Sequence, residues 1–290
     1  MPRRKTESIK IEKANKTGFC FGVRRAINIL EKVAQEHGGV ETLGEVVHNR
    51  QALDTLAEAG IRAVKNADDI QGGIVATSSH GITPQLEAEI RARHVNIINV
   101  TCPFVRRVQV AARRLAESGF VVVIYGDADH PEIKSILGWT DGKGIATLDE
   151  KFIATFDHLP RRLGVLSQTT QIPARFNEFV KKLIDSAFSR DSELRIIDTI
   201  CHDIRERQQA ALDLARRVDL IFVIGSRTSA NTKHLTELCT TATETHLLET
   251  AEDIQPVWLE GHQRVGVASG ASTAQGTIDE VLVRLKELGG

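Results

Sequence analysis

Three cysteines occur in one local pattern. Cys20 and Arg24, Cys102 and Arg106, and Cys201 and Arg205 each enclose three residues, at the start of a predicted amphipathic helix. At Cys102 the setting is sharpest. An apolar run (Val95, Ile97, Ile98, Val100) stops at Thr101, and Pro103 suits the first helical position, where its missing N–H costs nothing. A sulfur there faces helix N–H groups and the positive end of the helix dipole, which favours the thiolate. A lone cysteine is most often a small buried apolar side chain. Three in matching turns form a soft ligand set, suited to an iron–sulfur cluster or zinc. A 4Fe–4S cluster ordinarily takes four thiolates, so three would leave one iron open, a catalytic arrangement. Spacing alone also leaves zinc with three Cys and a His open. Cys239, mid-helix, reads as core.

The surrounding polar residues suit an anionic substrate. His48, His80 and His130 each follow a predicted strand. Ser229, Asn231 and Ser272 lie in glycine-containing loops after strands, where hydroxyls, an amide and backbone N–H groups cradle anions. With the histidines they suit a diphosphate, and no Walker lysine motif is present. Glu132, in the first turn after His130-Pro131, is the candidate proton donor. Thr169 is the candidate to hold a substrate hydroxyl.

The elements that must position these groups are strands and helices in alternation. Strands are expected at Thr42 to Val47, Gly73 to Thr77, Phe120 to Tyr125, Leu163 to Leu166, Leu194 to Ile197, Leu220 to Ile224 and Arg264 to Ala268. Helices of about 10–15 residues separate most of them, which predicts parallel sheets covered by helices. Wholly apolar strands such as Val121-Val122-Val123-Ile124 fit a sheet buried on both faces. Ligands bind such sheets at the carboxyl ends of the strands, where most of these polar clusters fall. The recurring cysteines divide the chain into three diverged copies of one unit, residues 9–101, 102–200 and 201–288, each later copy beginning at its cysteine.

Composition narrows the class further. The 290 residues exceed one ordinary core. With 37 basic and 38 acidic residues, general nucleic-acid binding and polybasic membrane anchoring are disfavoured. An aromatic content of 4% argues against stacking platforms for single strands. No apolar run nears the roughly 18 residues that span a bilayer. Met1-Pro2-Arg3-Arg4-Lys5 has no apolar segment behind it, unlike a secretory signal. The cytoplasm is the expected compartment, and four cysteines there are thiols or ligands rather than a disulfide framework.

Ordered motifs over residues 18–275 resemble the LytB/IspH family of 4-hydroxy-3-methylbut-2-enyl diphosphate reductases. They are Gly18-Phe19-Cys20-Phe21-Gly22-Val23, Val47-His48-Asn49, Ser79-His80-Gly81, Thr101-Cys102-Pro103 and His130-Pro131-Glu132. Ser167-Gln168-Thr169-Thr170, Ile200-Cys201, Ser229-Ala230-Asn231-Thr232 and Gly270-Ala271-Ser272 continue them. The resemblance implies three pseudo-symmetric α/β domains with small, mainly parallel sheets, trefoil-like around a central 4Fe–4S cluster. It implies Cys20, Cys102 and Cys201 as cluster ligands. His48, His80, Ser229, Ala230, Asn231 and Ser272 would bind the diphosphate, with His130 and Thr169 nearer the alcohol and Glu132 as proton donor. The open iron would act as a Lewis acid on the substrate's C4 oxygen. That oxygen would leave as water, through an allyl-type intermediate, to give isopentenyl or dimethylallyl diphosphate. The electrons would come from a ferredoxin- or flavodoxin-like partner.

Three departures bear on substrate positioning. Ala230 stands where many members carry a second serine, Ile204 where threonine is common, and Ala274-Gln275 where a Pro-acid pair is usual. Two other readings remain: a three-domain zinc hydrolase of a phosphorylated metabolite, and a non-catalytic iron–sulfur redox sensor. The sensor has no use for Glu132.

Overall fold

The computed structural model describes residues 9–47, 49–149, 151–152, 160–187 and 192–289. The chain begins with β1 (Lys10–Lys13), α1 (Phe21–His37), β2 (Val40–Leu43), α2 (Arg50–Glu58), β3 (Ile61–Val64), β4 (Ile74–Thr77), α3 (Pro84–Ala92) and β5 (Asn96–Ile98). Then come α4 (Pro103–Glu117), β6 (Val121–Tyr125), α5 (Pro131–Gly138), β7 (Gly144–Thr147), β8 (Arg162–Ser167), α6 (Pro173–Ala187) and β9 (Glu193–Ile196). The last stretch holds α7 (His202–Ala215), β10 (Leu220–Ile224), α8 (Ala230–Thr240), β11 (Glu244–Leu248), β12 (Arg264–Ser269) and α9 (Gln275–Gly289). These residues fall into two compact units. One comprises residues 9–21, 49–52 and 202–289; the other comprises the described residues of 22–47 and 53–201.

The larger unit carries two four-stranded sheets, β3-β2-β4-β5 and β7-β6-β8-β9, with every pairing parallel. Both have the same order: the first strand of each set lies between the second and third, and the fourth is an edge. In the second sheet, Val122, Ile124 and Leu166 pack with α4 and α5 on one face. Val123, Tyr125 and Val165 pack with Phe176 and Phe179 of α6 on the other. Burial on both faces explains the run of apolar residues in β6. Helix α4 turns Val105, Val108, Ala112 and Leu115 inward at helical spacing.

The smaller unit carries one parallel sheet, β1-β12-β10-β11. Leu220, Phe222 and Ile224 pack toward α9, whereas Ile221 and Val223 pack toward α7 and α8. Its three later strands repeat the order of the other sheets. The edge position is taken by β1, which pairs with β12 from Lys10–Arg264 to Lys13–Val267. Strand β1, at the start of the segment expected as 9–101, thus belongs to the sheet of the last segment. Four residues carry too little apolar pattern to name a partner so distant in sequence.

Other differences are local. The strand expected at Thr42 to Val47 is β2, ending at Leu43. Gly44 has φ 79°, and its N–H bonds to the Val64 carbonyl, so the chain turns away there. Strands β3 and β7 were not expected; both are short, and β7 is only partly buried.

Candidate functional site

Each of the three patterned cysteines is fastened by its own backbone N–H and, two residues earlier, by a flanking contact to the end of a strand. In the larger unit, Cys102 N–H donates to the Ser79 carbonyl at 3.0 Å, and two residues earlier Val100 N–H donates to Thr77 Oγ1 at 3.0 Å. Cys201 N–H donates to the Thr169 carbonyl at 3.0 Å. Two residues earlier, the Thr199 hydroxyl donates to the Ser167 carbonyl at 2.6 Å and accepts from Ser167 N–H at 2.8 Å. In the smaller unit, Cys20 N–H donates to the Ala271 carbonyl at 2.9 Å, and Gly18 N–H donates to Ser269 Oγ at 2.9 Å.

The accepting carbonyl always belongs to the second residue past the end of β4, β8 or β12. The flanking bond always involves that strand's last residue. Each cysteine is therefore tied to the sheet whose edge strand precedes it.

All three stand immediately before a helix: Cys20 before α1, Cys201 before α7, and Cys102 as the N-cap of α4 with Pro103 in the first turn. Cys20 and Cys102 are half-buried, Cys201 is buried, and no disulfide joins them. Cys239 differs as expected. It is fully buried within α8, and burial pushes its thiol up to about 12.

Beside Cys102 and Cys201, the larger unit assembles four of the candidate side chains. His130 is the N-cap of α5, and its Nδ1 accepts the Glu132 N–H at 3.1 Å, which puts the proton of a neutral ring on Nε2. The His80 ring stands edge-on to His130, with centroids 5.5 Å apart. Glu132 is buried, with Oε1 accepting Thr169 N–H and Oε2 accepting the Thr169 hydroxyl, both at 2.7 Å. Burial raises the Glu132 pKa above the ordinary carboxylate value and outweighs the two Thr169 hydrogen bonds, which lower it. The result is a carboxyl that keeps its proton to higher pH.

Several supporting residues carried no role in the sequence reading. Gln168, fully buried, accepts from Asp127 N–H at 3.1 Å and so orders the loop leading to His130. Gln109 of α4 donates to Ser135 of α5 at 2.7 Å, and Ser135 donates to the Ile82 carbonyl at 3.3 Å. The Trp139 indole donates to the same carbonyl at 3.1 Å. Between His80 and Ile82, Gly81 has φ 77°, and a Cβ there would run into Gln109. A polar residue on the buried face of α4 was the available signal for this group.

The smaller unit gathers the candidate anion-binding residues. Ser229 is the N-cap of α8, with Oγ accepting Thr232 N–H at 3.4 Å, and Ala230 opens the helix. Asn231 is 3% exposed, yet neither its Oδ1 nor its Nδ2 has a hydrogen-bond partner among the described residues. A buried amide left unpaired costs about 1–3 kcal/mol, so a ligand group is its natural complement. The loop after β12 is joined to that after β10. Gly270 N–H and the Thr273 hydroxyl both donate to the Ile224 carbonyl, at 2.8 and 2.9 Å. Between these two residues lie Ala271, whose carbonyl holds Cys20 N–H, and Ser272. In the same unit Asn49 caps α2 by accepting Ala52 N–H at 2.9 Å. His48 lies outside the described residues.

Among the described residues, no three or more His, Cys, Asp or Glu side chains gather into a ready metal-ligand set. No helix there is long and apolar enough to cross a membrane.

Comparison with known proteins is unambiguous. A family described as LytB protein matches residues 11–286. A 4-hydroxy-3-methylbut-2-enyl diphosphate reductase from Dehalococcoides mccartyi (strain CBDB1) is 57% identical over 280 residues, covering 97% of this chain and 99% of the relative. One from Geobacter metallireducens is 38% identical over 276 residues, covering 95% and 96%. A solved structure of such a reductase, described as the terminal enzyme of the non-mevalonate pathway, superposes with TM-score 0.70 at 34% identity, covering 96% and 99%. A structure from Plasmodium falciparum, at 24% identity and TM-score 0.89 over 95% of this chain and 87% of that one, shares the fold.

Proposed function

The chain belongs to the LytB protein family, and on that footing we propose that it is a 4-hydroxy-3-methylbut-2-enyl diphosphate reductase, the oxidoreductase that ends the non-mevalonate route to isoprenoid precursors. The reaction consumes two electrons and two protons. The C4–O bond breaks, the oxygen leaves as water, and a proton is delivered to carbon at one end or the other of the allylic unit. Isopentenyl or dimethylallyl diphosphate results.

The observation that carries this reading is the Glu132 carboxyl, buried, raised in pKa and held by both donors of Thr169. It is a buried proton store, which neither a redox sensor nor simple electron carriage requires. His130 and Thr169 would position the alcohol end of the substrate. His48, His80, Ser229, Ala230, Asn231 and Ser272 would hold the diphosphate. The unpaired Asn231 amide and the helix N-terminus at Ala230 favour an anion there. Ala230 contributes only its backbone N–H.

Cys20, Cys102 and Cys201 are assigned as the ligands of the family's 4Fe–4S cluster, leaving one iron without a protein thiolate. The donor set fits such a group: three soft sulfurs at helix starts, whose dipoles stabilise negative charge by about 0.3–1 kcal/mol each. When bound, the cluster would supply electrons singly and a Lewis-acidic position. The three segments 9–101, 102–200 and 201–288, with β1 joined to the last, would contribute one thiol each. A ferredoxin- or flavodoxin-like carrier would deliver the electrons, and a cytoplasmic setting would keep the thiols reduced.

The test is an anaerobic assay with the hydroxymethylbutenyl diphosphate and dithionite-reduced methyl viologen. Brown protein that releases the two isomeric diphosphates is expected. A colourless, zinc-loaded and fully active hydrolase would overturn the assignment.

A further inference from the structure

A groove of about 860 Å³ runs along α4 of the larger unit, from Pro103 to Ser118, with Arg195 and Ile197 on its far side. Its floor is apolar, formed by Val110, Ala111, Leu115 and Ile197, and its walls are basic. Arg106 is fixed, lying 4.4 Å over the Trp139 ring and donating to Gln109 Oε1 at 3.1 Å. Arg195 lies 4.5 Å over Phe120 and pairs with Glu193 at 2.7 Å. Arg107 and Arg114, seven residues apart on one face of the helix, are exposed. Among the described residues neither has a carboxylate partner. The groove's own acid, Glu117, is engaged by Arg113 at 2.6 Å. This concentration of arginine stands out in a chain whose formal net charge is −1.

Resting on the reading above, we propose that this groove docks a small acidic one-electron carrier protein. The groove begins at Pro103, the residue after Cys102, so a carrier seated there lies against the helix that this cysteine caps. At a rise of about 1.5 Å per residue, Arg107 stands only about 7–8 Å along the axis from Cys102. An apolar floor within a charged rim is the anatomy of a protein–protein contact. Unpaired arginines on the rim would steer an acidic partner and set its register.

The test measures binding and turnover separately. Titrating an acidic flavodoxin into the wild type at low salt should show saturable binding that weakens steeply as ionic strength rises. Replacing both Arg107→Glu and Arg114→Glu should raise Kd by about tenfold or more and flatten that salt dependence. Carrier-driven turnover should then show a raised KM for the carrier, with viologen-driven turnover unchanged, which also reports an intact fold. Arg284→Glu on α9, also exposed, is the control and should leave Kd unaltered. An unchanged Kd in the double variant, or an equal loss in the control, would overturn the proposal. A wild type that binds flavodoxin at this groove but never turns over the diphosphate with viologen would instead sink the functional reading and leave the docking surface standing.

Discussion

Thr169 donates its amide N–H and its hydroxyl to the two carboxylate oxygens of Glu132, each at 2.7 Å. The carbonyl of the same residue accepts Cys201 N–H at 3.0 Å. One residue thus orients the proposed proton donor and fastens a proposed cluster ligand.

The first prediction concerns Glu132 itself. Glu132→Gln keeps the volume and both Thr169 contacts within reach but removes the proton supply. Turnover should fall by about 10²–10⁴-fold, while iron content and absorbance near 400 nm stay at wild-type levels. Retained turnover would refute the assignment.

The pH dependence follows from the direction of the Glu132 shift. Its folded pKa lies above the ordinary value of 4.5. Below that value the carboxyl is protonated whether the chain is folded or unfolded. As pH rises past it, the unfolded chain ionises first, so the folded state loses relative stability until the buried carboxyl ionises too. Chemical denaturation of wild type and Glu132→Gln should show the variant's advantage opening above pH 4.5 and then levelling off. Turnover per bound substrate should decline as pH passes the raised pKa. A pH-independent difference between the two proteins would contradict the shift.

The cysteines separate by position. Cys20→Ser, Cys102→Ser and Cys201→Ser should each lose iron and colour on anaerobic reconstitution. Cys239→Ser should retain both, because its thiol is fully buried within α8 and held protonated. Iron and sulfide analysis of the four variants decides this.

Asn231 offers a trade between stability and binding. Asn231→Leu removes an amide whose two polar atoms are buried without partners. Apolar replacement of such a group is neutral or stabilising, so Tm should hold or rise. The KM for the diphosphate should increase about tenfold or more, as expected when a hydrogen bond to a charged group worth about 1.5–3 kcal/mol is lost. A lower Tm with unchanged KM would show that the amide serves the fold.

The hydrogen bonds beside the cysteines should matter energetically. Thr199→Val strands the buried Ser167 N–H, which the Thr199 hydroxyl now satisfies at 2.8 Å. A loss of about 1–3 kcal/mol in unfolding free energy is expected, together with weaker iron retention at Cys201. A conservative Thr199→Ser should restore much of both.

Much of this protein was legible in its residues. Alternating apolar strands and amphipathic helices, Pro103 and Pro131 at helix starts, and three Cys-x-x-x-Arg patterns are local signals. Local sterics and burial periodicity dictated the α/β class, the placement of Cys20, Cys102 and Cys201 before helices, and the position of Glu132 in a first turn.

Other features depend on residues far apart in the chain, and only the tertiary structure decided them. Strand β1 completes the sheet of β10–β12 because backbone pairing is indifferent to sequence distance. The pKa of Glu132 is raised by burial, against the opposing hydrogen bonds of Thr169, 37 residues away. The carbonyl that receives each cysteine N–H lies on a different loop, and no residue type encodes a carbonyl acceptor. Gln109 and Gln168 became interpretable only once folding had buried them. The sequence specified which groups can do the chemistry; long-range packing set their protonation and their partners, because desolvation and hydrogen-bond geometry exist only after the chain has closed.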